Sequence, residues 1–187
     1  SNDFGSATSA SALLTVPSAF PAAKPDGYAS AATGGAGGNT VVVLTATDFK
    51  AQASSANACT ITVVGQLSIG TVNVASNKTI QGADANATLL GSLNLTGVSN
   101  VIVRGLHLTN PGTTIVSGAY TDGGSALTIS GSNRIFVTHC SFFDCADHQI
   151  KILSGSDTVT VSWCEFYTSS ASLLHRCSVQ IGAAGDT

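Results

Sequence analysis

Residues 100–108 (NVIVRGLHL), 134–142 (RIFVTHCSF) and 158–166 (TVTVSWCEF) are three copies of one pattern. Val103, Val137 and Val161 hold equivalent places, 34 and then 24 residues apart, and Ile80 in SNKTIQG lies 23 residues further upstream. Periods in the twenties are the length of one coil of a solenoid. Each copy alternates apolar with small or polar residues and is rich in Val, Ile and Thr, the grammar of a strand rather than a helix. Strands that recur once per coil stack in parallel. The sequence therefore predicts an all-β chain wound as a parallel β-helix.

A second register runs beside the first. LNLTG (93–97), LTISG (127–131) and KILSG (151–155) repeat at the same 34 and 24 residues, so each coil carries at least two strands. The longer interval places about ten extra residues, PGTTIVSGAY (111–120), in one loop. Loops inserted on one side of a solenoid mark its binding side.

The whole chain, 1–187, reads as one domain, and 43% hydrophobic residues suffice for a sizeable core. Residues 1–38 are rich in Ser, Ala and Gly, hold three of the four prolines, and are expected to run as an irregular covering segment. DFKAQASSA (48–56) has the composition of a short amphipathic helix that caps the amino-terminal end, where open strand edges would otherwise recruit other chains. The coils then fill residues 60–187. SVQIGAAGDT (178–187) reads as one more strand entering a further coil with no cap after it, so a missing segment or a second chain is expected to cover that end.

Charged residues make up 9% of the chain, well below the usual quarter, and a helical bundle would need far more Leu, Glu and Lys. A net charge of −3 gives no general attraction for nucleic acid or an acidic membrane surface. No apolar run reaches the length of a membrane-spanning helix. The chain opens at Ser1 and contains no Met, which reads as a processed mature end and implies secretion. Asn77, Asn86 and Asn94 each begin an N-glycosylation sequon, as suits a secreted glycoprotein.

Of the five cysteines, Cys140 and Cys164 occupy the same slot of consecutive repeats. Neighbouring strands lie ~4.8 Å apart, inside the ~4.4–6.8 Å Cα window of a disulfide. A bridge fits there, and so does a stack of free buried thiols. Cys59, Cys145 and Cys177 are left over, an odd number.

Six segments resemble, in order, the pectate lyase superfamily, the family 1 polysaccharide lyases: GYASAATGGAGG (27–38), SNKTIQG (76–82), SNVIVRGLHL (99–108), GGSALTISGSNRIFVTHCSF (123–142), DHQIKILSGSDTVTVSWCEF (147–166) and HRCSVQIGAAGDT (175–187). The resemblance implies a right-handed parallel β-helix of three sheets that cleaves polygalacturonate or its methyl ester by β-elimination. A base takes the proton at C5 and the C4 oxygen leaves. A proton beside a carboxylate is a poor acid, so the site must neutralise that carboxylate with a metal ion or a fixed cation. Pectate lyases use calcium; the pectin lyase branch carries a basic side chain in its place.

The resemblance places the four usual calcium-ligand positions on Gly123, Ser125, Asp147 and Lys151, of which only Asp147 is acidic. A hard cation wants several oxygen ligands of net negative charge, so calcium is left with Asp147 and, nearby, Asp122 or Asp144. Lys151 would stand where calcium stands in relatives, pairing the uronate carboxylate; the plainer reading is a surface ion pair with Asp147, four residues away on the same strand face. His139 matches the family's histidine slot, as a substrate contact or a structural group between coils. His175 and Arg176 fall where relatives place basic residues near the groove. No residue aligns with the arginine that relatives use as base. Alternatives to a lyase are a non-catalytic β-helix that binds pectin or another uronate polymer, and a purely structural solenoid.

Overall fold

The computed structural model describes residues 24–112, 115–116, 119–120, 123–153, 155–169 and 177–182. Its longest ladder follows the repeat that opens the sequence. Six parallel strands stack in the order β1 (Asn39–Val43), β2 (Cys59–Val63), β4 (Lys78–Gly82), β6 (Ser99–Arg104), β11 (Asn133–Thr138) and β14 (Asp157–Ser162). Ile61, Ile80, Val103, Val137 and Val161 sit in register across it. All but Val161 are fully buried. Each such aliphatic side chain contributes roughly 1.5–3 kcal/mol by leaving water, and the register that aligns them is the one that keeps every branched side chain inside.

Eight further strands form a second, folded sheet. Along one part β7 (His107–Thr109), β12 (Ser141–Phe143) and β15 (Glu165–Tyr167) stack; along another β10 (Leu127–Ser130), β13 (His148–Leu153) and β16 (Cys177–Ile181) stack. In the early coils these two parts are one long strand, β3 (Gln66–Asn73) and then β5 (Thr88–Thr96). The start of β5 pairs with β7 and its end with β10. The chain is thus a parallel β-helix.

The corners are made by residues at positive φ, where the chain turns within one or two positions. Asn77, Asn100, Arg134 and Thr158 form one column of such residues at the entry to the first sheet. Asn tolerates this conformation better than most. Asn100 also uses its amide: Nδ2 donates to Asn77 Oδ1 at 2.7 Å, and Oδ1 accepts from the backbone N–H of Thr33 (2.7 Å) and Gly34 (2.9 Å).

Those last bonds tie down a covering segment. Residues 24–38 lie across the outside of the first sheet, where Ala29 and Ala32 pack on Ile102 and Phe136. This explains why β6 is buried on both faces, although alternation alone would leave Ile102 exposed. At Gly35 a Cβ would stand 2.1 Å from the Cys59 carbonyl oxygen, so only glycine lets the segment come this close. Residues 1–23, the rest of the segment expected to cover the solenoid, lie outside the described residues.

The cap is α1 (Ala46–Ser54), two residues earlier than the sequence suggested. Thr45 is its N-cap, accepting from Asp48 N at 3.1 Å, and Phe49 and Ala53 face the core. Beyond its other end Lys78 is fully buried, its Nζ donating to the carbonyls of Ser55 (2.8 Å), Asn57 (2.6 Å) and Ser76 (3.2 Å). Burial lowers the Lys78 pKa.

One expectation changes. The register of β10 on β13 is Leu127 with Ile150 and Thr128 with Lys151, one residue off the alignment of LTISG on KILSG. A one-residue slip exchanges the two faces, so the aligned register would have driven Lys151 into the core slot of Leu127. The chain takes up the difference after β13, since Asn133 again pairs with Asp157. Of the two readings of the Cys140–Cys164 slot, the structure has the free thiols: no bridge joins them, and Cys59 is likewise free.

Candidate functional site

The loop inserted between β7 and β10 contains two short antiparallel strands, β8 (Ile115–Val116) and β9 (Ala119–Tyr120). Asn110 organises its base. The Asn110 carbonyl accepts from Gly124 N (3.2 Å) and Ala146 N (3.0 Å), and its Nδ2 donates to the Ser125 carbonyl at 3.1 Å. Asp147 N then donates to the Gly124 carbonyl at 3.4 Å. These bonds bring residues 123–125 and 146–148, from consecutive coils, side by side.

On this frame Asp147 stands at the centre of a charged cluster. Its Oδ2 forms an ion pair with Lys151 Nζ and lies 3.4 Å from Ser125 Oγ, while its Oδ1 lies 2.7 Å from His148 Nδ1. The last lacks hydrogen-bond alignment, and His148 Nδ1 is buried without a hydrogen-bond partner. Burial raises the Asp147 pKa, but the hydrogen bond and charge of Lys151, together with His148, outweigh it and hold the carboxyl below the usual range.

Lys151 belongs to an outward-facing polar row that follows the solenoid axis. Register places Asn73 beside Asn94, Asn94 beside Thr128, Thr128 beside Lys151 and Lys151 beside Gln180. Asn94 Nδ2 donates to Asn73 Oδ1 at 2.7 Å, and Thr96 Oγ1 donates to Asn94 Oδ1 at 2.7 Å. An uncharged polar row leading to one cation suits an extended, hydroxylated and acidic ligand.

Calcium does not fit the described part of this cluster. Gly123 has φ +76, and a Cβ there would stand 2.6 Å from Gly112 N, so no acidic side chain can occupy that position without moving the loop. Ser125 offers a hydroxyl, Lys151 a positive charge, and the one carboxylate is already engaged by two basic groups. Asp144 is turned elsewhere, accepting from Ser169 N at 2.8 Å and from Ser169 Oγ. Among the described residues no three His, Cys, Asp or Glu side chains gather to hold a metal.

The other sequence candidates divide. His139 is on the corner between β11 and β12, whereas Lys151 is on β13. Its Nδ1 is 2.9 Å from Thr138 Oγ1, and its ring stacks on Trp163 at 6.2 Å between centroids. His175, Arg176 and Asp122 lie outside the described residues. Sequence reasoning missed His148, because alternation puts it on the inward face with Ile150; only the corner before β13 turns it toward Asp147. It also missed Asn110, whose amide is legible only once two coils are side by side.

The pectate lyase family model matches residues 2–183. The chain belongs to the pectate lyase family. It is 33% identical over 149 residues to pectate lyase plyB of Emericella nidulans, covering 74% of this chain and 43% of that protein. It is 28% identical over 162 residues to a pectate trisaccharide-lyase of Thermotoga maritima, covering 76% of this chain and 42% of that protein. The chain thus spans less than half the length of these curated relatives. Among solved structures, pectate lyase Bsp165PelA from Bacillus sp. N165 in complex with trigalacturonate superimposes with a TM-score of 0.60 at 20% identity, over 83% of this chain and 62% of that one. No helix among the described residues is long and apolar enough to cross a membrane.

Proposed function

We propose that this chain acts in the β-eliminative cleavage of α-1,4-linked polygalacturonate or its methyl ester, with Lys151 in place of a metal ion. The observation that carries the reading is the Lys151–Asp147 pair at the outer surface of β13, where the family's calcium ligands align. A uronate carboxylate arriving there exchanges places with Asp147, and the ammonium draws electron density from it. C5 becomes more acidic, a base removes its proton, and the C4–O bond breaks to leave a 4,5-unsaturated end. His175 and Arg176 meet neighbouring acid groups of the polymer. Secretion accords with the substrate class and with the sparse charge of the chain. Further coils or a second chain cover β14 to β16, where Trp163 and Ile181 are each 79% exposed.

A second reading, a pectin-binding β-helix without turnover, is favoured by one observation: of the four positions that the resemblance gives to calcium ligands, Gly123, Ser125 and Lys151 carry no acid. Ultraviolet absorbance of unsaturated uronides, released from polygalacturonate and from methylated pectin, separates the two. Product supports the lyase. Retention of unchanged polymer supports the binder, and neither outcome removes both readings.

A further inference from the structure

Cys140 and Cys164 stand one above the other inside the solenoid. Thr138 pairs with Ser162 and Ser141 with Glu165, which brings Cys140 and Cys164 to the same height on adjacent strands, ~4.8 Å apart by the spacing of a parallel ladder. The two side chains point the same way: each thiol donates to the carbonyl two residues before it, Cys140 to Thr138 and Cys164 to Ser162, both at 3.3 Å. Cys140 is buried and Cys164 half-buried, with no strand beyond β14 and β15 among the described residues.

We infer that Cys140 and Cys164 form a redox-closable pair that staples the coil carrying the Asp147–Lys151 site (β11 to β13) to the coil after it (β14 to β16). Residues 141–163 lie within the ring so formed, and they include all of β12, β13 and β14. The oxidant is a small-molecule disulfide such as oxidised glutathione. The Cys164 thiolate attacks one of its sulfurs, a mixed disulfide forms, and one glutathione thiolate leaves. Cys140 then loses its proton and attacks the Cys164 sulfur, expelling the second glutathione. Two S–H bonds are lost, one S–S bond is gained, and the oxidant becomes two thiols.

The division of roles follows from the surroundings. Cys164 is half-buried and within reach of a small oxidant, whereas Cys140 is buried and its burial raises its pKa. Cys164 is therefore the attacking sulfur and Cys140 the resolving one. Cys59 has no such neighbour, since register sets it beside Asn39 and Lys78.

The test treats the folded chain with oxidised glutathione, blocks remaining thiols under denaturing conditions, and maps the digest by mass spectrometry. The expected result is a peptide joining Cys140 to Cys164, two hydrogens lighter than the sum of its parts. Melting should rise by roughly 5–10 °C over the reduced chain, as for a loop of this size in a domain of this length. Cys164→Ser should abolish that rise while leaving the reduced melting temperature nearly unchanged. Both thiols recovered blocked, glutathione left on Cys164, or a bridge to another cysteine would overturn the inference. Peptide mapping of the natural sequence decides the matter even if the variant does not fold.

Discussion

Replacing Asp147 with Asn should tighten the binding of oligogalacturonate rather than weaken it. In the structure Lys151 is held by Asp147, with side chains 24% and 32% exposed, so an incoming uronate must displace a carboxylate already in place. A partly exposed ion pair of this kind is worth about 0.5–1 kcal/mol, so removing the competitor should lower Kd roughly two- to fivefold. Lys151→Ala removes the acceptor of the charge itself. Two unit charges at ~4 Å attract by about 4 kcal/mol at an effective dielectric of 20, of which roughly 1–2 kcal/mol survives desolvation and side-chain ordering. Kd should rise about 5- to 30-fold. The double variant should bind no more weakly than Lys151→Ala, because with Lys151 gone the Asp147 carboxylate only repels an incoming uronate. Isothermal titration calorimetry with trigalacturonate at low ionic strength, repeated with chelator, measures all four proteins. If Asp147→Asn weakens binding as much as Lys151→Ala does, Asp147 is itself a ligand, and the displacement argument fails.

Other consequences are direct. Gly123→Asp, which restores an acid at an aligned calcium position, should cost about 2–4 kcal/mol through positive φ and the clash with Gly112; chemical denaturation would show the loss, and calorimetry should show no gain in calcium binding. Phe142→Ala removes a fully buried ring stacked 5.4 Å from Phe166 and should destabilise the fold by roughly 3–5 kcal/mol, read as a lower denaturation midpoint with the slope retained. The Asp147 carboxyl titrates below its unfolded value, so its pairing stabilises the fold fully above the ordinary carboxyl pKa and is lost as pH falls through the lowered folded one. Melting measured from pH 6 down to 3 should therefore fall more steeply for the natural sequence than for Asp147→Asn.

Much of this was legible from the chain. The valine column of Val103, Val137 and Val161 appears in the structure with the spacing read from the sequence, because branched side chains in a solenoid interior tolerate no slip. The helical cap was legible from composition to within two residues. The β10–β13 register was not. Aligning Gly131 on Gly155 placed Lys151 opposite Leu127, and nothing in the sequence announces that the chain regains the extra residue after β13. The site was half legible: the Asp147–Lys151 pair follows from strand periodicity, but His148 is turned by a corner and Asn110 acts across two coils. The cysteine pair had two readings, and the slot they share is common to both.

In the proposed reaction the Lys151 ammonium does the work of calcium. Initial rates of unsaturated-product formation from polygalacturonate and methylated pectin, taken in calcium and in chelator for the natural sequence and for Lys151→Ala, test it most directly. If Lys151 replaces the metal, chelator leaves the rates of the natural sequence unchanged, and they fall at least tenfold in Lys151→Ala. A rate that needs calcium, or one that survives loss of Lys151, would contradict it.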